Sequence, residues 1–586
     1  MWFHKHTSQT PFYRPCHEIP PPKREKERYV DAATQKHLKT ASIRMRVAAW
    51  SFIFLLSIIW GRLFYLTVLS YDKRDQNPLQ WDSLEKLPRY NIVDRNGVVL
   101  ATTLTSWDIS INPTKVKDPQ EVAHQIAQKL PDLNEKDILE KLTSEGNFKY
   151  IKRGATPTEL EAINWLGYHF LTYEAVNKRA YPQGSLFSHI LGGVNIDNVG
   201  IAGIEKAFDN DLKDHEIQLS LDTSIQEMVR TNLKNGIQKY KAEGGLGIVI
   251  DVQTGEILAS VSLPDYDPEM PAGKDLSNRF NMPTLGVYEF GSVFKLFNTA
   301  LALENKTVKA TDIIDASHPI KIGKKQIEDF HGQNRPLTIT EILMHSSNIG
   351  SAKIALDTGY QKQRDFLRKF NMYEKLPIPL PERGTPLYNT KEKWADIESA
   401  NVSFGYGIAV TPLHLIAGVA ALANGGYYRV PTFIKGDNKE KPVVQVLDSK
   451  ISDQLRQMMW AVVNWDPNPV IKNPAKYYAV GGKTGTANMK EGHGYNTNKI
   501  RTSFVGVFPV TDPKYAVQIT LLNPKGISET SGFNNAGWNA KTVGLTLIAE
   551  MAPYLNIAPI PDYKPDDFVQ KSIDISLIKN GRKKTQ

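Results

Sequence analysis

Apolar residues are unevenly distributed along the chain, and the longest unbroken run lies near its start. Positions Val47 to Leu69 are apolar almost throughout, and about 20 such residues span a bilayer as a helix. The run ends in the letters LTVL, which lack the small residues of a cleavage site. We therefore predict an uncleaved transmembrane helix over 47–69, with a buried core helix or a cleaved signal peptide as alternatives.

Residues 70–216 alternate short strand-like segments with polar helical ones. The letters NIVDRNGVVLATT and WDISINP have the alternation of half-buried strands, whereas DPQEVAHQIAQKL and NEKDILEKLTSEG have helical spacing. The apolar content of this stretch is modest. This α+β pattern predicts a stalk domain between the membrane helix and a larger domain.

Residues 217–555 carry a higher density of apolar runs, which indicates that larger domain. Gly247 to Ser262 is typical of two strands around a Gln-Thr-Gly turn. Three further strands are predicted at Tyr477–Ala487, Thr502–Phe508 and Tyr515–Leu522. Helices are predicted after Thr411-Pro412 and after the capping box of Thr338 and Glu341. We expect an α/β (α+β) multidomain chain whose largest domain is an antiparallel sheet flanked by helices.

Charge and cysteine content narrow the class of protein. Of the net charge of +9, two-thirds lies in residues 1–46, which hold ten Lys and Arg against four Asp and Glu. The remainder offers no concentrated phosphate-binding surface, so we exclude nucleic-acid binding. The single cysteine, Cys16, permits no disulfide in the rest of the chain. We interpret residues 1–46 as a mobile tail and residues 556–586 as a second, basic-ended tail.

Basic residues on one side of the apolar run predict its orientation. Arg44 and Arg46 directly precede it, and the positive-inside rule then places the N-terminus in the cytoplasm and everything after residue 69 outside. Arg62 interrupts the run, and it either snorkels to the interface or meets a partner helix.

Ser-x-x-Lys pairs provide the first candidate chemistry, although context must select among them. The chain has four such pairs, at Ser70/Lys73, Ser83/Lys86, Ser292/Lys295 and Ser576/Lys579. Only Ser292 opens an apolar run; the serines of the other three are most simply solvated surface residues. At the start of a buried helix, Lys295 would lie one turn from Ser292 and take its hydroxyl proton, provided that burial and a nearby cation lower the pKa of the amine.

Two later motifs supply partners for this pair. Ser346-Ser347-Asn348 follows the capped helix, and Lys483-Thr484-Gly485-Thr486 lies on a predicted strand. Taken alone, the first is equally typical of a turn and the second of a strand that ends in a glycine turn. Together and in this order they predict a serine acyl-transfer site.

Each motif residue can then be assigned a role. Lys483 is the second cation, and the hydroxyls of Thr484 and Thr486 would bind a substrate carboxylate. Gly485 would let the substrate approach the strand. The backbone N–H groups of Ser292 and Thr486 are candidates for the oxyanion hole. Ser346 would relay a proton to the leaving amine, and Asn348 would bind a substrate amide or hold Lys295. These roles call for no metal and no cofactor.

Ser-x-x-Lys, Ser-x-Asn and Lys-Thr-Gly in this order resemble the motifs of penicillin-binding transpeptidases and serine β-lactamases. Further matches resemble the class B, division-specific penicillin-binding proteins (FtsI). They are Arg89 with Ile92–Gly97, Arg179–Gly184, Gly200–Glu205 and Ser403–Gly407. The resemblance implies a penicillin-binding fold on a stalk domain, a D-Ala-D-Ala stem-peptide substrate with an amine acceptor, cross-linking at the division septum, and acylation of Ser292 by β-lactams. It also implies a single-pass inner-membrane protein with a periplasmic catalytic domain. Division proteins, including an FtsW-like glycan polymerase of the SEDS type, are then expected as partners.

Three positions depart from the family pattern: Tyr90 replaces a glycine, Phe290 a proline and His414 a glutamine. At Tyr90 the family pattern does not predict the local backbone conformation of the stalk. Phe290 would alter the opening of the cleft. The segment Asn488 to Asn498 is either a flap over the cleft or an ordinary surface hairpin.

Three other functions fit these residues less well than a transpeptidase does. A β-lactamase needs a base for water, and the nearest string to its Glu-x-x-Leu-Asn motif, Glu398 to Asn401, lacks the Leu-Asn pair. A bifunctional enzyme needs a glycosyltransferase domain, for which residues 70–216 are too short. A non-catalytic scaffold or β-lactam sensor would not need Ser292, Lys295 and Lys483 intact.

Overall fold

The structure is a computed structural model that describes residues 32–65, 89–270, 276–438, 441, 443–465, 472–491 and 494–579. The chain divides into two compact units, Met1–Ser83 and Leu84–Gln586. The described part of the first unit forms one helix, α1 (Ala32–Phe64). Within it, Ile43–Phe64 is fully exposed, has a mean hydropathy of 1.8, and is long and apolar enough to cross a membrane. The helix begins upstream of Val47, so residues 32–46 of the predicted tail are helical, as their Ala, Gln, Lys and Arg favour, and the mobility of the tail stays a prediction. The predicted exit of the apolar run, 66–69, lies outside the described residues.

The stalk region is α+β, as predicted. Its sheet has the order β3-β2-β1-β7, with β4 paired to β2. The strands are β1 (Ile92–Val93), β2 (Val99–Ile111), β3 (Lys149–Ala155), β4 (Leu171–Ala180), the hairpin strands β5 (Gly193–Val194) and β6 (Gly200–Ala202), and β7 (Ile217–Gln218). The helices are α2 (Pro119–Lys129), α3 (Glu135–Thr143), α4 (Pro157–Asn164), α5 (Ser188–Leu191) and α6 (Gly203–Ala207). The two strand-like segments predicted at the start of the stalk form mainly one long strand, β2, because its register with β4 continues without a break.

A buried ion cluster holds the start of the stalk. Arg89 Nε and Arg179 Nε donate to the two carboxylate oxygens of Glu205 at 2.6 and 2.7 Å, and Arg89 Nη1 donates to Asp209 at 2.7 Å. Glu205 is fully buried. Arg179 Nη1 also donates to the Tyr90 carbonyl at 2.8 Å. This cluster explains why the two arginine-containing segments and the Gly200–Glu205 segment belong together, although the sequence separates them.

Removing the central carboxylate of this cluster is expected to destabilise the protein. In Glu205→Gln, two buried guanidinium groups lose their shared counter-ion, and we expect a loss of about 3 kcal/mol in the free energy of unfolding. Urea denaturation measures the loss. Glu174→Gln, the same change at an exposed position, should stay within about 0.5 kcal/mol. Equal stabilities of the two variants would contradict the structural role of Glu205.

The larger domain is built on a five-stranded antiparallel sheet of order β18-β19-β20-β8-β9. Its strands are β8 (Gly244–Asp251), β9 (Ile257–Leu263), β18 (Gly481–Glu491), β19 (Gly494–Phe508) and β20 (Tyr515–Leu522). Eight short strands pair outside it: β10 (Ile313–Asp315) with β13 (Pro336–Thr338), β11 (Ile320–Ile322) with β12 (Lys325–Ile327), β14 (Leu387–Tyr388) with β15 (Ile408–Ala409), and β16 (Tyr427–Tyr428) with β17 (Val444–Gln445). All the strands predicted for the main sheet are present, but β18 begins at Gly481 rather than Tyr477 because Lys476–Tyr478 forms a 3₁₀ turn.

Helices cover both faces of this sheet, as expected. They are α7 (Thr223–Lys239), α8 (Met282–Leu285), α9 (Lys295–Glu304), α10 (Ile339–Met344), α11 (Asn348–Thr358), α12 (Tyr360–Arg368), α13 (Asp396–Ser403), α14 (Pro412–Ala423), α15 (Ser449–Asn464) and α16 (Ala540–Tyr554). Alternate strand residues face different cores: Ile248 and Ile250 belong to the core that includes α14, whereas Val249 belongs to the core that includes α7. This two-residue alternation is the pattern that a sheet buried on both faces requires. The predicted caps of α10 and α14 are confirmed.

The predicted C-terminal tail contains a packed helix, α17 (Asp567–Lys579). Val569 is fully buried and Ile573 nearly so. Ser576, expected to be a solvated surface residue, is also fully buried and hydrogen-bonded to α10. The expected tail and the expected exposure of Ser576 were both wrong. The helix buries serines whose hydroxyls form hydrogen bonds, and a pattern of apolar residues does not reveal buried polar ones. The division into domains at 70–216 and 217–555 stays a prediction, since Ile92 and Leu100 of the stalk share a core with the larger domain.

Candidate active site

Ser292 lies on a tight turn at the edge of the main sheet. The turn is a 3₁₀ helix, Gly291–Phe294, which leads directly into α9. Gly291 has a φ of +55°, and a Cβ there would lie 2.7 Å from the Thr486 carbonyl oxygen of β18. Only glycine therefore permits the turn to lie so close to the edge strand. The turn presents Ser292 half-buried, whereas its neighbours in the turn are buried.

Lys295, at the first position of α9, is fully buried and connects the motif residues. Its Nζ donates to Asn348 Oδ1 at 2.8 Å and to the Ser346 carbonyl at 2.7 Å, and it lies 2.8 Å from Ser292 Oγ. Ser346 Oγ is a fourth contact at 3.2 Å. The one-turn separation expected between Ser292 and Lys295 thus brings the amine within reach of the hydroxyl proton.

Ser346 reaches this amine from the loop between α10 and α11, and Asn348 reaches it from the first position of α11. Ser346 has a φ of +58°, a left-handed conformation that is unfavourable for a residue with a side chain. Asp329 stabilises the next turn, where its carboxylate accepts from Ser347 Oγ at 2.7 Å and from the N–H groups of Asn348 and Ile349 at 2.5 and 3.0 Å. Asp329 was not predicted from the sequence, since no spacing relates it to the Ser346–Asn348 motif that it stabilises.

Lys483 completes the cluster from β18. This residue is almost fully buried, and its Nζ donates to Ser346 Oγ at 3.1 Å and to the Thr484 carbonyl at 3.0 Å. Ser346 Oγ thus lies between the amines of Lys295 and Lys483. Three segments that are far apart in the sequence therefore form one hydrogen-bonded set around the Ser292 hydroxyl.

Burial lowers the pKa of both lysines. Loss of solvent lowers the pKa of Lys295 well below its ordinary value, and the charge of Lys483 lowers it further, against the opposing effect of Asp329. Loss of solvent also lowers the pKa of Lys483, to about 7, with a further contribution from Lys541. The pair thus favours a neutral amine on Lys295 beside a cation on Lys483, which is what a lysine base requires.

The remaining residues of the third motif contact the protein itself. A Cβ on Gly485 would lie 2.2 Å from the Phe290 carbonyl oxygen and 2.9 Å from Val293 Cγ2. The turn that carries Ser292 therefore already requires glycine here, and approach of substrate to Gly485 stays a prediction. Thr486 Oγ1 accepts from the Ala536 N–H at 3.1 Å. The assignment of the oxyanion hole to Ser292 and Thr486 stays a prediction.

The three departures from the family pattern leave these contacts intact. Phe290 is buried and lies edge-on to Tyr288, and its effect on the opening of the cleft stays a prediction. His414 is buried between Thr411 Oγ1 and the Glu374 carbonyl, and burial lowers its pKa to about 4. Tyr90 is not among the residues with positive φ.

The β18–β19 hairpin is held to the turn that precedes Ser292. Tyr495, near the start of β19, donates through Oη to Glu289 Oε1 at 3.0 Å, and the same oxygen accepts from the Gly407 N–H at 2.9 Å. Tyr495 also lies edge-on to Tyr406. The described part of the Asn488–Asn498 segment is therefore an anchored hairpin. Glu289 was not predicted from the sequence, because it lies far along the chain from both Tyr495 and Gly407.

A serine hydroxyl hydrogen-bonded to a buried lysine amine, beside the edge strand of an antiparallel sheet, defines a serine acyl-transfer enzyme. Two family models match the chain: the penicillin-binding protein transpeptidase domain over residues 245–541 and the penicillin-binding protein dimerisation domain over residues 85–222. The chain belongs to the penicillin-binding protein transpeptidases. The second match covers the stalk, so that span is not a glycosyltransferase and the bifunctional alternative is set aside.

Curated relatives and solved structures agree with this family. The chain is 32% identical over 483 residues to the probable peptidoglycan D,D-transpeptidase FtsI of Caulobacter vibrioides, covering 80% of this chain and 82% of the relative. It is 28% identical over 529 residues to the peptidoglycan D,D-transpeptidase FtsI of Escherichia coli, covering 84% and 89%. Penicillin-binding protein 3 of Mycobacterium tuberculosis, solved in complex with ampicillin, has a TM-score of 0.64 and 23% identity, covering 82% and 97%. The fold is thus that of penicillin-binding transpeptidases.

Proposed function

We propose that this protein is a peptidoglycan D,D-transpeptidase that cross-links stem peptides during septal wall synthesis. The observation that carries the proposal is the position of Lys295 Nζ, within hydrogen-bond distance of Ser292, Ser346 and Asn348. The names of the Caulobacter and Escherichia relatives support the substrate class and the link to division. A serine held by a buried amine in this way is suited to acyl transfer rather than to binding alone.

Acylation begins when the neutral amine of Lys295 takes the Ser292 proton as Oγ attacks the carbonyl of the penultimate D-Ala. The N–H groups of Ser292 and Thr486 stabilise the oxyanion of the tetrahedral intermediate. When the peptide bond breaks, the proton passes from Lys295 through Ser346 Oγ to the leaving D-Ala amine. The distances of 3.2 Å and 3.1 Å from Ser346 Oγ to the two amines make this hydroxyl the relay.

Transfer to the acceptor reverses this route. The acceptor amine attacks the acyl-enzyme carbonyl, gives its proton through Ser346 to Lys295, and Lys295 returns a proton to Ser292 as the ester breaks. Lys483 serves throughout as the cation that attracts the terminal carboxylate of the donor, with the hydroxyls of Thr484 and Thr486 beside it. Asn348 holds Lys295 and is available to a substrate amide.

β-Lactams follow the first half of this route and then stop. Their strained amide mimics the D-Ala-D-Ala bond, the ring opens on Ser292, and the leaving group stays attached, so that no acceptor can enter. The Mycobacterium structure with ampicillin supports this substrate class for the fold.

Position in the cell is part of the proposal. The apolar part of α1 is long enough to anchor the chain, and the basic residues before it favour a cytoplasmic N-terminus with a periplasmic catalytic domain. We propose single-pass insertion in the inner membrane at the division septum, next to an FtsW-like polymerase.

Intact-mass spectrometry of the full-length protein treated with penicillin tests the function. We expect one lasting adduct, and peptide mapping should locate it on Ser292. Fast release of hydrolysed drug would instead indicate a β-lactamase. Normal septal cross-linking in cells whose copy carries Ser292→Ala would indicate a scaffold.

The pair of lysines predicts how acylation depends on pH. Lys483 acts as a cation, and with its pKa at about 7 the second-order rate constant for acylation by penicillin should fall as the pH rises above that value. Lys541 lowers this pKa, so Lys541→Met should raise it and move the alkaline limb to higher pH. Stopped-flow acylation between about pH 5 and 9 measures both profiles. An alkaline limb that does not move in the variant would contradict the assignment to Lys483.

A further inference from the structure

The C-terminal helix α17 packs against the helix that leads to the Ser346 loop. Val569 and Ile573 lie on its buried side, and the start of the helix is fixed by a reciprocal pair in which Gln457 of α15 and Asp566 exchange two hydrogen bonds at 2.7 and 3.1 Å. Ser572 and Ser576, one turn apart, both contact the α10 segment. Helix α17 is thus an integral part of the catalytic domain.

Ser576 contacts both the first turn of α10 and the residue that follows the helix. It is fully buried, and its hydroxyl donates to Glu341 Oε1 at 2.7 Å. His345 Nε2 lies 2.9 Å from the same oxygen. Because the only proton of the hydroxyl goes to the carboxylate, Nε2 must carry a hydrogen and donate to Ser576. Ser576 therefore links Glu341, in the first turn of α10, to His345, the residue that follows the helix.

His345 directly precedes Ser346, whose backbone is left-handed. The Ser346 carbonyl accepts from Lys295 Nζ at 2.7 Å, and its hydroxyl lies between both catalytic amines. The ring of His345 is also held edge-on by Trp465, with 5.4 Å between ring centroids. A non-glycine residue persists in this conformation only where its surroundings hold it. Here the N–H groups of Ser346 and Ser347 donate to the carbonyls of Leu343 and Ile342 at 3.3 and 3.0 Å, and Ser576 and Trp465 hold the side chain of the adjacent His345.

We infer that Ser576 is a positioning residue for acylation: through His345 and Glu341 it fixes the backbone of Ser346, and thereby the carbonyl that places Lys295 against Ser292. The inference rests on the proposed function. The C-terminal helix would thus help to position the base from outside the three motifs.

A matched pair of serines on the same helix tests this inference. In the full-length protein, Ser576→Ala should lower the rate constant for the acylation step with penicillin by roughly tenfold, because a small displacement of the base slows proton transfer. The dissociation constant of the preceding non-covalent complex should not change. Ser572→Ala removes another buried hydroxyl on the same helix, one that contacts the N-cap residue Thr338 and not His345, and it should leave the acylation step near the wild-type rate. Melting temperatures of the two variants provide the comparison for stability.

A second variant and a rescue keep the test decisive if Ser576→Ala folds poorly. His345→Phe keeps a ring against Trp465 and removes only the bond to Ser576, so it should slow acylation to a similar degree. The double variant should be no slower than either single one. Ser576→Thr, which retains the hydroxyl, should restore the acylation rate.

Equal acylation rates in Ser572→Ala and Ser576→Ala, or additive losses in the double variant, would overturn the inference and leave the proposed function standing. Failure of the wild-type protein to form any penicillin adduct would overturn the proposed function instead.

Discussion

Ser292→Ala is expected to eliminate the penicillin adduct and to lower transpeptidation by roughly 10³-fold or more, because no other group occupies the position of the attacking oxygen. The substitution removes one half-buried hydroxyl that accepts a single described hydrogen bond, from Lys295. Folding should therefore be unaffected. Intact-mass spectrometry and gel labelling with a fluorescent penicillin measure the loss.

Ser83→Ala is the control for this experiment, since Ser83 also belongs to a Ser-x-x-Lys pair. It should label like the wild-type protein. An adduct that persists in Ser292→Ala, mapped to any other residue, would refute the assignment of the nucleophile.

Lys295→Met and Lys295→Arg are both expected to slow acylation by about 10³-fold, for different reasons. Methionine has no base to offer. Arginine keeps a cation of similar length, but its guanidinium cannot lose a proton in this range of pH. If Lys295 acted only as a positive charge that stabilises the oxyanion, arginine would retain much of the activity. The comparison therefore separates a base from a fixed charge.

Lys353→Met, on the outer side of α11 where Lys353 pairs with Asp315, is the control and should acylate normally. The acylation rate constant, measured with a chromogenic cephalosporin, provides the readout. Substantial activity in Lys295→Arg would contradict the proton transfer proposed for this residue.

The regular parts of the fold were accessible from sequence because they depend on local patterns. Two-residue alternation and turn residues predict the strands β8, β9, β19 and β20. The helix caps at Thr338 and Thr411 are recognised from residues within four positions of each other. The catalytic motifs were recognised for the same reason, since each is short. That they meet in space could only be expected from their chemistry, because the contact between Lys483 and Ser346 spans 137 positions of the chain.

The supporting residues were not accessible in this way. Asp329 and Glu289 are single carboxylates whose partners lie in other elements, and no local pattern distinguishes them from solvated acidic residues. Ser576 was assigned to the surface for a similar reason. A buried polar side chain is stable when its partners are present, and those partners are provided only by the folded chain.

Helix α17 also has a consequence for how the enzyme could be inactivated. It follows all three catalytic motifs in the chain. A copy cleaved between residues 556 and 566 would keep every motif residue, but it could lose Val569 and Ile573 from the core together with the hydroxyl that binds His345. We expect such a clipped enzyme to acylate slowly, so that proteolysis at this point would lower activity without altering the motifs.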